Sequence, residues 1–288
     1  MDKQISRVPA PLPAFQRLTG WRLFIASVIG RSYPRVVGMQ REKSWLLFDV
    51  LLPLLSVAAY VFIYRALKAP AEYVGFVVIG GAMTAFWLNV LWSMSSQLYW
   101  EKRTGNLALY IIAPNSMMSI LLGMALGGMV STTLRALMII TVGSWLFGVT
   151  YAVSSFWQLL LVFTLTMTAL YGMGMMTASV FLLLSREAWH IANLAQEPVY
   201  LASGFYFPIR SFPFWVAAGA SLIPLTMGMD AIRQLVFPSG ASLGFASVSF
   251  EIVVLCVLCA LFLAGAKLLL DYMEKLAIRE GRLTESRR

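Results

Sequence analysis

The 288 residues are 59% hydrophobic and 12% charged, with a mean hydropathy of +0.77, and so carry about half the charge of an average soluble domain. So little charge cannot clothe a water-facing surface, which excludes a disordered chain, a fibre and a soluble enzyme domain. The 22 Lys and Arg against 13 Asp and Glu leave a formal +9; in a membrane protein such an excess encodes orientation, and the soluble basic face that nucleic acid would require is not visible.

The first 44 residues hold eight Lys and Arg and no early apolar run, so no removable signal peptide is expected. Within them, FQRLTGWRLFIASVIGR (15–31) places Phe15, Leu18, Trp21, Ile25 and Val28 at helical spacing beside Arg17, Arg22 and Arg31. That is the pattern of an amphipathic helix lying in the headgroup plane. Charge-poor stretches near the ~20 residues needed to cross ~30 Å of hydrocarbon follow at 45–64, 73–98, 117–148, 152–184, 188–207 and 252–270. A seventh, 211–229, is uncharged but holds Pro213 and Pro224 with Gly219 and Gly228 nearby. Proline removes a backbone donor, which predicts two short half-helices that enter the membrane and return.

Basic residues decide between six spans and seven. With six and a re-entrant pair, 17 of the 22 Lys and Arg fall on one side, Arg65, Lys68, Arg210 and Arg233 on the other, and Arg135 within the membrane. A seventh crossing would leave 12 against 9. The positive-inside rule selects six, with both termini cytoplasmic. The expected fold is an all-α integral membrane protein with six transmembrane helices and an N-terminal interfacial amphipathic helix. Its single membrane domain covers 45–271, with an external re-entrant helical hairpin over 208–235, a cytoplasmic segment 1–44 before it and a basic cytoplasmic tail 272–288 after it.

Catalytic and metal-binding patterns are missing. Cys256 and Cys259 have CxxC spacing, but their surroundings VVLCVLCALFLAGA are wholly apolar and supply no second pair or histidine, so they read as packing residues. His190 is the one histidine. There is no HExxH, GxSxG or phosphate-cradling GxxxxGK[ST] sequence, so no cofactor or metal is expected on this chain and its energy must come from a partner or a gradient. The ionisable residues inside spans are Asp49, Arg135 and Glu197, and each costs roughly 2.5–3.5 kcal/mol at mid-bilayer. Arg135, one turn past Ser131, Thr132 and Thr133, reads either as half of an interhelical pair with Glu197 or another carboxylate, or as a cavity cation for an anionic headgroup. Asp49 reads as solvated or paired with Lys43. GMALG at 123–127 is a small-xxx-small pattern that lets helices approach closely.

Between the second and third spans, EKRTGNLALYIIAPNS puts Leu107, Tyr110 and Ile111 on one helical face and ends at Pro114. It is either a surface connector or a knob that docks into a soluble partner. Glu101, Gly105, Leu107 and Pro114 at these offsets resemble the E-x-x-x-G-x-L-x-x-L-x-x-x-P segment of ABC-2 type transporter permeases, with Tyr110 where Leu is usual and Ala108 where an acid is frequent. SGFYFPIRSFPFW (203–215), followed by Pro224 and DAIR (230–233), is similar to that family's S-G-x-x-x-P stretch and its later Pro and Arg.

The resemblance implies a half-transporter in the plasma (inner) membrane of a bacterium. ATP and Mg would be bound by a separate ABC ATPase subunit, and a second permease copy, identical or not, would complete the pore. Residues 101–114 would form the cytoplasmic coupling helix, with Glu101, Gly105, Leu107, Tyr110 and Pro114 as its coupling residues. Arg135, Phe205, Tyr206, Phe207 and Pro208 would belong to the substrate path or gate, although the aromatic cluster reads equally as an interfacial belt. The expected cargo is a hydrophobic or amphipathic molecule, drug-like or lipid, in contact with membrane lipid. The alternatives are a lipid-linked polysaccharide, an ion- or proton-coupled carrier using Glu197, and a membrane enzyme whose catalytic groups are not visible.

Overall fold

The computed structural model describes residues 19–41, 43–184, 187–237, 240 and 244–279; Phe15 and Leu18 of the predicted interfacial helix lie outside them, as does the end of the basic tail. The described residues are helical, with no strand among them. The helices are α1 (Gly20–Arg41), α2 (Lys43–Ala66), α3 (Glu72–Leu88), which runs through a π-helical segment (Asn89–Ser95) into α4 (Gln97–Arg103), then α5 (Asn106–Ile112), α6 (Met117–Phe147), α7 (Phe156–Leu184), α8 (Glu187–Ala202), α9 (Phe214–Ala220), α10 (Pro224–Val236) and α11 (Val248–Arg279).

Among the described residues, five stretches are long and apolar enough to cross a membrane: Leu47–Ala66, Glu72–Arg103, Met117–Phe147, Phe156–Val180 and Val248–Met273. The second is the most buried. Its α3 part is apolar on every side, and the stretch forms the centre of the molecule, with α2, α6 and α10 against α3 and α7 against the π segment. A helix hydrophobic all round belongs in such a place. Gly81 lets α2 close on α3, since a Cβ there would fall 2.2 Å from Val57 Cγ2. α11 lies along α7, joined by Ala169, Leu258, Cys259 and Phe262. Cys259 donates its thiol to the Leu165 carbonyl at 3.2 Å, in keeping with a packing role.

The predicted span 188–207 differs from the others. Its helix, α8, has 16 residues, about 24 Å at ~1.5 Å per residue, and is broken by the Ser203–Gly204 turn, where Gly204 takes φ +75°. Glu187, His190, Asn193, Gln196 and Glu197 also dilute its apolar content. The chain nevertheless connects Trp92, whose indole N–H donates to Gln196 at 2.8 Å, with Phe76, whose carbonyl shares the Arg233 guanidinium with that of Phe205. Phe76 and Trp92 are themselves about 24 Å apart along the central helix.

The proline-bearing segment forms the two short helices expected. Pro213 precedes α9 and Pro224 is the first residue of α10, so each proline starts a helix, where its missing N–H costs nothing. The two are bent by 105° across residues 221–223.

The interfacial stretch of the sequence extends further than expected, to Arg41, and one face of it is docked. α6 presents Gly123 and Gly127 to α1; a Cβ at these positions would lie 2.6 Å from the Val28 carbonyl oxygen and 2.7 Å from that of Ser32. The small-residue pattern of α6 is therefore the seat of α1. Beside the docked face, Trp21, Ile25, Ile29 and Tyr33 form an exposed i, i+4 apolar stripe along α1.

Candidate functional site

The α4–α5 knob is built around a buried carboxylate. Glu101 is 4% exposed and accepts hydrogen bonds from Arg31 on α1, from Gln97 Nε2 at 2.8 Å, Asn106 Nδ2 at 3.0 Å and the Tyr110 hydroxyl at 3.2 Å. The Arg31 guanidinium also lies over the Tyr110 ring, 5.4 Å from its centre. Burial is the main reason the Tyr110 hydroxyl is held above its usual pKa, so it remains a donor at neutral pH. Gly105 makes the turn between the two helices at φ +79°, a conformation that a residue with a Cβ adopts only under strain. Glu101 therefore ties α1, α4 and α5 together from the inside.

The knob's outward face is not the one predicted. Leu107 is 1% exposed and belongs to the core, and Tyr110 is half-buried over Glu101. Leu109 and Ile112 point out, 64% and 82% exposed, with Pro114 exposed beyond them; the side chain of Ile111 is outside the described set. Arg103, stacked over Tyr99 and Trp100, adds a cationic rim. Apolar residues three apart on a short exposed helix form one contact patch.

Arg135 sits midway along α6 and pairs with Asp49 of α2 at 2.5 Å, so the carboxylate it meets is neither Glu197 nor any later residue. The pair borders a cleft of about 560 Å³ between α2, the central helix and α6, with Asn89, Trp92, Ser93 and Gln97 on its wall. Asn89, Trp92 and Ser93 belong to the π segment; π turns inside α-helices are frequent at functional sites. Arg35 of α1 supports the same wall, donating to Ser93 Oγ, to the Ser93 carbonyl at 2.9 Å and to Gln97 Oε1 at 3.2 Å. Burial lowers its pKa to about 10, which leaves it charged at neutral pH.

At the far end of the molecule, residues 203–208 form a lock. Arg233 is 2% exposed and donates to the carbonyls of Gly204 at 2.6 Å, Phe205 at 2.8 Å and Phe76 at 2.9 Å. The Phe205 carbonyl occupies the place of a side chain on Gly80, where a Cβ would lie 1.6 Å from its oxygen. Phe205 and Pro208 are buried. Tyr206 stacks on Tyr60 with ring centres 4.1 Å apart, and its carbonyl accepts from the Tyr64 hydroxyl at 2.8 Å. Half-buried Phe207 meets Tyr60 edge-on. Tyr60, Tyr200, Tyr206, Phe207 and Glu197 line a pocket of about 330 Å³ with Ser56.

Residues 35–237, most of the chain, match the family model for the ABC-2 type transporter. The chain belongs to the ABC-2 type transporter family. A comparison with curated proteins gives no match. The matched region includes the α4–α5 knob, the Arg135 cleft and the whole 203–237 lock. An ABC-2 permease is the membrane-spanning, non-catalytic part of a transporter, which agrees with the five long apolar stretches among the described residues.

In this ABC-2 permease, sequence reading located Glu101, Arg135 and the 203–208 stretch. It missed Arg31 and Asp49 as the partners of Glu101 and Arg135, Arg35 behind Ser93 and Gln97, and the internal role of Arg233. The last had a signal: Arg233 follows Pro224 in a segment whose other charged residue is Asp230, and an arginine there must find carbonyls or acids inside the protein. Among the described residues, no group of three or more His, Cys, Asp and Glu lies close enough to hold a metal ion.

Proposed function

We propose that this ABC-2 permease is the membrane subunit of an ATP-driven exporter of hydrophobic or amphipathic molecules, with ATP and Mg bound by a separate ABC ATPase. The observation that carries this reading is the exposed Leu109–Ile112 patch on a knob fixed from within by Glu101. A plain membrane-surface connector has no use for a rigid mount. A lever that receives force from a soluble partner needs one, since movement at its tip reaches α1 through Arg31 and the central helix through α4.

The bias of Lys and Arg supports a cytoplasmic knob and cytoplasmic termini. It also requires that α8 and residues 203–208 together cross the bilayer, with α9 and α10 re-entrant at the outer face. The exposed α2 stripe Leu47, Leu51, Leu55 and Phe62 offers one surface for a second permease copy. The tyrosine pocket around Glu197 favours one further reading, a lipid-linked polysaccharide, because aromatic rings beside a carboxylate suit sugar faces and hydroxyls.

The test is transport in proteoliposomes holding the permease with its ATPase. Export should need ATP, and L109E with I112E should abolish both export and permease-stimulated ATP turnover while leaving the thermal midpoint unchanged, because both side chains are exposed. Movement driven by a pH gradient without the ATPase would instead establish a secondary carrier.

A further inference from the structure

The Arg135–Asp49 pair has a physical oddity. Arg135 is buried to 11% side-chain exposure halfway along a membrane helix, and its Nε has no hydrogen-bond partner. Asp49, its counter-ion, is 34% exposed. A pair that served only to neutralise Arg135 would be expected to satisfy both groups fully, because a buried charge with a free donor is costly. Arg135 instead faces a cleft with room for a ligand, about 560 Å³ against the roughly 300–1,000 Å³ usual for small-molecule sites.

The charge around this cleft is not balanced. Behind its wall, Arg35 bonds only neutral acceptors, on Ser93 and Gln97, while the Arg31 and Glu101 charges are committed to each other. Among the described residues, two guanidiniums therefore act on the cleft against the single carboxylate of Asp49. The rest of the wall is largely apolar, from Phe48, Leu52, Pro53 and Leu88. The cleft lies in the half of the membrane nearer the α5 knob, since Asp49 is close to the start of α2 and Gln97 begins α4.

We propose that this cleft binds an amphiphile with an anionic phosphate or carboxylate head, which displaces Asp49 from Arg135 while its tail lies along Leu52 and Leu88. Asp49 is the competitor for the site: it holds Arg135 when the cleft is empty and yields it to a stronger acceptor. The proposal rests on the exporter reading only in treating the ligand as cargo entering from the inner leaflet; binding itself needs neither ATP nor an ATPase.

The competition gives the two partners opposite signatures. Native mass spectrometry of the full chain in maltoside micelles, doped with dioleoyl phosphatidic acid, dioleoyl phosphatidylcholine or inorganic phosphate, reads retention directly. Phosphatidic acid should be retained about tenfold over phosphatidylcholine. Arg135→Gln should bring that ratio close to one, Arg135→Lys should hold it between, and Asp49→Asn should raise it. Surface arginines and lysines elsewhere would retain the acidic lipid equally in all four proteins. An unchanged ratio in folded R135Q, or a ratio lowered by both R135Q and D49N, would overturn the proposal and leave the pair a structural one. Inorganic phosphate retained as well as phosphatidic acid would overturn it too, because the apolar wall would then contribute nothing. If R135Q does not fold, the rise or fall in D49N decides. Loss of ATP-driven export with binding intact would count against the exporter reading alone.

Discussion

Replacing Glu101 by glutamine removes the charge that four donors, on Arg31, Gln97, Asn106 and Tyr110, share, and sets an NH2 group against the two donors that meet one of its oxygens. Hydrogen bonds to a charged group contribute roughly 1.5–3 kcal/mol each, and breaking one side of a buried pair costs about 3–5 kcal/mol. Glu101→Gln should therefore lower the thermal midpoint of the purified permease clearly, and Glu101→Lys, which sets a like charge against Arg31, should lower it further, both readable by a fluorescence melt. Sequence spacing located Glu101 but assigned it to a docking surface. A carboxylate beside Lys102 and Arg103 in a polar loop looks solvated, and only the three-dimensional return of α1 buries it. Arg135 was legible for the opposite reason: a charge in an apolar helix stands out on its own, but the identity of its partner, more than 80 positions earlier on α2, does not.

At the scale of elements, the apolar runs located the long helices because a span must be continuous and nearly uncharged. α8 escaped that reading: its run continues through Ser203–Pro208 in composition, while Gly204 at φ +75° ends the helix. The glycine pattern of α6 was equally visible, yet a small-residue stripe does not name the helix it receives. That helix is α1. Gly127→Val should push α1 from its seat, since the new Cβ would fall 2.7 Å from the Ser32 carbonyl oxygen and the side chain beyond it has nowhere to go. Limited proteolysis should then cut α1 faster than in the wild type, whereas Gly30→Ala, also on α1 and with nothing within 4 Å of its Cβ, should leave that rate nearly unchanged.

Across the whole molecule, the turn at residues 67–71 and the Arg233 lock lie at one end, and the Glu101 knob lies at the other, the length of the central helix away. Sidedness follows from labelling single cysteines in a background where Cys256 and Cys259 are replaced. Leu67→Cys should react with a membrane-impermeant maleimide in intact cells, and Thr104→Cys only after the membrane is opened; both positions are exposed. The reverse pattern would invert the topology and remove the basis for a cytoplasmic knob.

The central claim is that the tip of α5, mounted on Glu101, takes force from an ATPase, and cross-linking tests it most directly. Cysteines placed singly at Ile112 and at Leu107, with the permease and its ATPase produced together, should behave oppositely under a short bifunctional reagent. Ile112→Cys should form an adduct whose yield changes when a non-hydrolysable ATP analogue is added, and Leu107→Cys, buried in the core, should form none. An Ile112→Cys protein that folds, sits beside its ATPase in the same membrane and gives no adduct in either nucleotide state would contradict the account.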